Sequence, residues 1–171
     1  AAGFVLKTLK KRLFSSPAAF AITFQKHVDR LAAPVGQHEV PRFTGAQALR
    51  RYLAAAEDET PGDDVEAEEQ LAEVVEVAST RMAELSAEES GLLDQIGARS
   101  GVAANRADAK VVALLAWLDA HIRPAGAWGD ERVIIFTEYK ATQDYLRHHL
   151  ANHRYSAGGR LELMYGGMDL D

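Results

Sequence analysis

The sequence predicts an α/β chain that is predominantly helical: a helical bundle followed by an incomplete parallel βαβ unit. Two observations carry the helical half. Apolar residues recur at spacings of three and four through much of the first hundred positions, and cap and proline signals punctuate them. A third carries the other half. Val133-Ile134-Ile135-Phe136 is a run of four large apolar residues with strong β preference, and further on Leu161, Leu163 and Tyr165 alternate with Glu162 and Met164.

Residues 4–14 read as a helix with Phe4, Val5, Leu9, Leu13 and Phe14 apolar and Lys10, Lys11 and Arg12 opposite. Ser16-Pro17 is a restart signal, a hydroxyl cap followed by proline at the first helical position. The helix that follows carries Phe20, Phe24, Val28 and Leu31 on one face and stops before Pro34-Val35-Gly36; residues 34–44 read as a loop. A third helix spans Ala46 to Ala56, with Leu49, Tyr52 and Leu53 apolar. After Pro61-Gly62-Asp63 a fourth runs from about Val65 to Leu85 and presents Leu71, Val74, Val75, Ala78 and Met82. Ser86-Ala87-Glu88-Glu89 has the form of a capping box, so another helix starts there and runs towards Gly97. The segment Gly97–Ala107 holds two glycines, a serine and an asparagine and is the expected hinge between two domains, residues 1–100 and 101–171.

Beyond it, Asp108 is placed to cap a helix carrying Val111, Val112, Leu114, Leu115, Trp117, Leu118 and Ile122, ended by Pro124-Ala125-Gly126. A short continuous apolar run such as 133–136 suits a strand covered on both faces, as in a parallel sheet. Residues 140–153 then read as a helix with Tyr145, Leu146 and Leu150 inward, before the second strand. Strand, helix and strand in this order form a βαβ unit with a right-handed crossover. Val133, Ile135, Leu161 and Leu163 are expected in adjacent parallel strands, with Leu114, Leu118 and Leu146 packed on them. Two strands are fewer than such a sheet needs, and the first residue is Ala1. The chain is therefore expected to be a piece of something longer, and its uncovered sheet edge to favour a homodimer.

Apolar residues make up 47% and charged residues 26%, the balance of a globular domain and not of a disordered one. No apolar run reaches the length that spans a bilayer, and the order of residues 1–13 is wrong for a secretory signal. With no cysteine, disulfides and thiolate metal sites are excluded. A cytoplasmic location is the expected default. The net charge of −6 hides a lopsided distribution. Between Glu57 and Asp94 about fourteen acids face one base, Arg81, which marks an acidic insertion; residues 1–54 carry about nine bases and two acids. A nucleic-acid partner needs a local basic face and not a basic total.

The segment from Glu131 through Val133–Phe136 to Thr137-Glu138-Tyr139-Lys140 and on to Leu146 is the most specific in the chain. It reads as a buried strand ending in a polar turn, with Thr137 able to cap the next helix. Helix starts attract phosphate, and the carboxyl ends of parallel strands are where α/β sheets bind ligands; a plain strand-to-helix junction has the same residues. The stretch resembles the opening strand and motif IV of the second RecA-like lobe in superfamily-two helicases. Asp108-Ala109-Lys110 with Leu114, Leu115 and Trp117 resembles the helix that leads into that lobe in Swi/Snf-like ATPases. Leu163-Met164-Tyr165-Gly166-Gly167-Met168-Asp169 is similar to the turn after the lobe's second strand, and Lys11-Arg12-Leu13-Phe14-Ser15-Ser16-Pro17 to a helix-to-helix turn of bacterial Swi/Snf-like enzymes. These four segments stand in family order, and residues 34–100 match no part of it.

The resemblance implies the inter-lobe helical region and the start of the second RecA-like lobe of an ATP-dependent translocase or helicase. It implies Thr137, Glu138, Tyr139, Gly166 and Gly167 as positions near a nucleic-acid backbone; alternatively, the two glycines only make a turn. ATP and Mg, and duplex DNA as partner, belong by the same implication to a parent enzyme. The sequence holds no G-x-x-x-x-G-K-[ST] loop and no carboxylate pair after an apolar strand, and the family's arginine finger lies later than Asp171, so the chain alone is expected to bind no cofactor and hydrolyse nothing. A helical protein-interaction module on an α/β scaffold is the alternative; a small Rossmann-like enzyme lacks its Gly-rich turn. Of the other candidates, His148, His149 and His153 have no carboxylate at metal-ligand spacing. His121 is expected to meet the last carbonyls of its helix, and Trp117 and Trp128 to serve as core and loop anchor. Lys7, Lys10, Lys11 and Arg12 are either a solvated face or the lining of a nucleic-acid channel.

Overall fold

Ser16 makes the first corner of the chain. In the computed structural model, which describes residues 2–32 and 85–166 with side chains from Val5 onward, helix α1 spans Ala2–Ser15 and α2 spans Pro17–Ala32. Ser16 Oγ accepts the Ala19 N–H at 3.1 Å, so the expected cap forms. The buried face of α2 is narrower and more polar than its sequence suggested: Ala19, Thr23, Phe24 and His27 are buried, whereas Phe20, Val28 and Leu31 are half-buried. Thr23 returns its hydroxyl to the Ala19 carbonyl at 3.0 Å.

Helix α3, Ala87–Ala104, opens with the expected capping box: Glu89 N–H donates to Ser86 Oγ at 3.2 Å and Ser86 N–H to Glu89 Oε2 at 2.8 Å. The Ser86 N–H, with the Ser86 hydroxyl donating to the same oxygen at 2.8 Å, holds the Glu89 carboxyl below its usual range. α3 continues through Gly97 and Gly101, most of the expected hinge, because it packs on α2 and keeps its helical bonds there. A Cβ at Gly97 would sit 3.7 Å from the Phe24 ring, so the glycine lies against the α2 face. The expected helices over 46–56 and from about Val65 fall outside the described residues, as does Gly167.

Asp108 caps helix α4, Ala109–His121, accepting the Val111 N–H at 2.8 Å. A 3₁₀ turn at Pro124–Gly126 ends it, with Ala125 and Gly126 at positive φ. Helix α5, Lys140–Asn152, closes with Tyr155 N–H on the Leu150 carbonyl and Arg154 N–H on that of Ala151, a Schellman motif with Arg154 at φ 65 in the left-handed region. Val111, Leu115, Leu118, Ile122, Tyr145, Leu150 and Tyr155 form the core between α4 and α5, and Leu161 packs at its edge. α2 contacts α1, α3 and α5 and so links the two halves.

No strand forms among the described residues. The expected buried strand does not form, and its side chains are exposed, with Ile134 at 69% and Phe136 at 88% of full exposure. Residues 161–165 likewise form no ladder with another described segment. The mainly helical half of the fold class therefore holds, and the burial expected for Val133 and Ile135 does not. β preference biases a backbone towards extension, but a strand also needs a neighbour on its edge and a layer on its face, and no described segment supplies either to 133–136.

Candidate nucleic-acid interface

The turn before α5 meets the corner between α1 and α2. Ser15 Oγ and Ser16 Oγ lie 2.7 and 2.9 Å from Thr142 Oγ1, a cluster of three hydroxyls with Ser16 and Thr142 buried. Two helix N-termini, of α2 and α5, thus share one polar contact between residues more than 120 positions apart. From the third side Lys110 donates its Nζ to the carbonyls of Phe14 and Ser15 at the end of α1. A cation there complements the negative end of the helix.

Arg12 is 4% exposed, with its guanidinium carbon 3.8 Å from the centroid of the Tyr139 ring. It does not belong to the open basic face that Lys7, Lys10 and Lys11 present. Tyr139 is buried and serves as the N-cap of α5 by backbone alone; Thr137, expected as the cap, lies too early in the turn and donates its hydroxyl to the Tyr139 carbonyl at 3.4 Å. Glu138 is exposed, and its Oε1 is 3.9 Å from Lys11 Nζ. At the other side of the α5 N-terminus, Gln143 donates Nε2 to the Met164 carbonyl at 2.9 Å and Lys140 sits 4.9 Å from the Tyr165 ring centroid. Gly166 follows, half-buried.

The structure therefore gathers Thr137, Glu138, Tyr139 and the residues leading into Gly166 around one helix start, and sets the α1–α2 corner against them. The hydroxyl cluster and the docking role of Lys110 carried no separate signal in the sequence; only the segments that contain them did. This arrangement is poorly suited to acid–base chemistry, since the carboxylate at its centre, Glu138, stands exposed to solvent. What it offers is exposed lysine ammonium groups on α1 beside a helix N-terminus.

Other candidates sit elsewhere. His121 Nδ1 lies 2.8 Å from the Trp117 carbonyl, as expected, but Trp117 is 44% exposed and stacks on His121 at 4.5 Å instead of entering the core. It falls on the outer side of α4, away from Val111, Leu115 and Leu118. Trp128 does anchor its loop, edge-on to Tyr155 at 5.6 Å with Arg123 and Arg160 near its ring. His149 is buried edge-on to Tyr145, and its Nε2 has no hydrogen-bond partner among the described residues; burial holds it below the usual histidine range. No group of three side chains suited to a metal occurs among the described residues, and no helix there is long and apolar enough to cross a membrane.

Compared with known proteins, the chain matches no family model, no curated protein and no solved structure.

Proposed function

We propose that this chain is the inter-lobe helical region and the opening part of the second RecA-like lobe of a Swi/Snf-type, ATP-dependent nucleic-acid translocase. In this reading 133–136 and 161–165 are the first two strands of a parallel sheet. The chain contributes a face turned to duplex nucleic acid, while ATP and Mg bind elsewhere in the parent enzyme. Thr137, Glu138, Tyr139, Gly166 and Gly167 are the positions nearest the backbone.

One observation carries the proposal. The four segments that resemble the family are scattered over about 160 positions, yet they meet: the Ser15 and Ser16 hydroxyls with Thr142, Lys110 with the end of α1, and Met164 with Gln143.

The test is titration of this chain into a fluorescein-labelled duplex of arbitrary sequence, followed by anisotropy. The expected result is sequence-independent binding with Kd on the order of 10 µM, weakening steeply between about 50 and 200 mM salt. No anisotropy change at any protein concentration reached would rule the reading out in favour of a protein-interaction module.

A further inference from the structure

We propose that the outer face of α1 is the phosphate-contacting surface of this chain, through Lys7, Lys10 and Lys11, and that Glu138 is an internal counter-charge that occupies Lys11 until a duplex displaces it. The inference rests on the nucleic-acid reading above and moves its centre of charge from the turn at 137–139 to a helix that the resemblance does not assign to contact.

Charge is the first ground. Residues 2–32 carry six bases (Lys7, Lys10, Lys11, Arg12, Lys26 and Arg30) against one acid, Asp29, which makes them +5 in a chain of net charge −6. Residues 85–166 carry nine bases and ten acids, a balance of −1. The positive potential of the described part is therefore concentrated on α1 and α2.

Geometry is the second. At about 3.6 residues per turn, positions 7, 10, 11 and 14 lie on one stripe of α1. Val5, Thr8 and Arg12 face inward and are buried; Lys7, Lys10, Lys11 and Phe14 face outward, Phe14 at 78% exposure. Lys110, fixed on the last carbonyls of α1, extends the stripe at its C-terminal end. Three ammonium groups along one exposed stripe fit the phosphate backbone of a duplex. Among the described residues, Lys11 is the one lysine of the three with a carboxylate beside it, and at 3.9 Å between two well-exposed groups that pair is loose enough to open. Glu138 is an anion at a position the resemblance sets beside phosphate, where it would repel. Paired to Lys11, it becomes a brake that can be released.

The experiment uses the same labelled duplex with three proteins: the wild-type chain, the triple variant Lys7→Gln/Lys10→Gln/Lys11→Gln, and Glu138→Gln. All three positions on α1 are on its outer face, and circular dichroism of each variant is the check that its helices are kept. The triple variant should lose at least about tenfold in affinity at low salt, and the slope of log K against log salt should fall by about two to three, roughly 0.9 for each phosphate no longer neutralised. Glu138→Gln should bind about two- to fivefold more tightly with a slope steeper by up to about one. An unchanged slope in the triple variant would overturn this inference and leave the nucleic-acid reading standing. A wild-type chain that ignores the duplex but binds phosphatidylserine-containing vesicles would overturn both.

Discussion

Ser16 is the most completely buried polar side chain in the described part, at 1% exposure, and it makes two kinds of bond at once. Its Oγ caps α2 and touches Thr142 on α5. Ser16→Ala should therefore cost more than an ordinary cap, about 1 to 2 kcal/mol, with Thr142 keeping only Ser15 as partner. Urea denaturation measures it, and Ser15→Ala, on a half-buried residue without the cap, should cost clearly less. A tyrosine and two histidines give signed expectations for pH. The Tyr155 hydroxyl, buried and donating to Asp119 Oδ1 at 2.6 Å, is pushed up to about 12. An acid raised in the folded state binds its proton more tightly there, so this contribution is complete below pH 10, the ordinary tyrosine value, and is lost as pH rises through about 12. Absorbance of the phenolate should show a late phase, and Tyr155→Phe should remove its latest part and leave that of Tyr145, which burial also raises. His149 and His27 are displaced the other way, both lowered first by burial. Their neutral forms are favoured by folding, so stability is complete above pH 6.5, the ordinary histidine value, and declines as pH falls below it. His149→Phe should flatten that acid decline; a decline unchanged in both His149→Phe and His27→Phe would place its origin elsewhere.

At the scale of elements, helix starts were the most legible features. Ser16, Ser86 and Asp108 cap as their sequence contexts predict, because a cap is a local bond between residues three apart. The hinge expected at Gly97–Ala107 was less legible. Glycine lowers helix preference by about 1 kcal/mol, but contact with α2 outweighs it, and tertiary packing leaves no trace in a local window. Removing that penalty gives a test: Gly101→Ala, with open space around its Cβ position, should stabilise the chain by up to about 1 kcal/mol in thermal unfolding. Arg154→Gly should act similarly at the end of α5, where φ of 65 suits glycine better than arginine. The apolar run 133–136 shows the opposite limit. Its β preference was legible; whether it would find a pairing partner was not, since that depends on neighbours the run does not encode. Trp117 misled for a related reason: a helix as apolar as α4 offers several faces, and only the packing of Leu115 and Leu118 selects one.

Across the whole molecule, charge is segregated along the chain. A basic helical pair precedes an acidic stretch, and the corner between α1 and α2 is joined to the start of α5 by hydroxyls and to α4 by Lys110. Of the candidate interface, the sequence named the turn at 137–139 and the residues around Gly166, and left the α1 lysines undecided between solvated face and channel lining. What it lacked was the knowledge that Arg12 turns inward onto Tyr139 while Lys7, Lys10 and Lys11 stay outside. The central claim is that a duplex lies across α1 and the start of α5. Its most direct test is a heteronuclear NMR titration of the labelled chain with a short duplex, read as amide shift changes along the sequence. The account predicts changes concentrated at Lys7–Phe14, Thr137–Tyr139 and Gly166, fading as salt is raised. Changes confined to the far end of α4, around His121–Trp128, or none at saturating duplex, would contradict it.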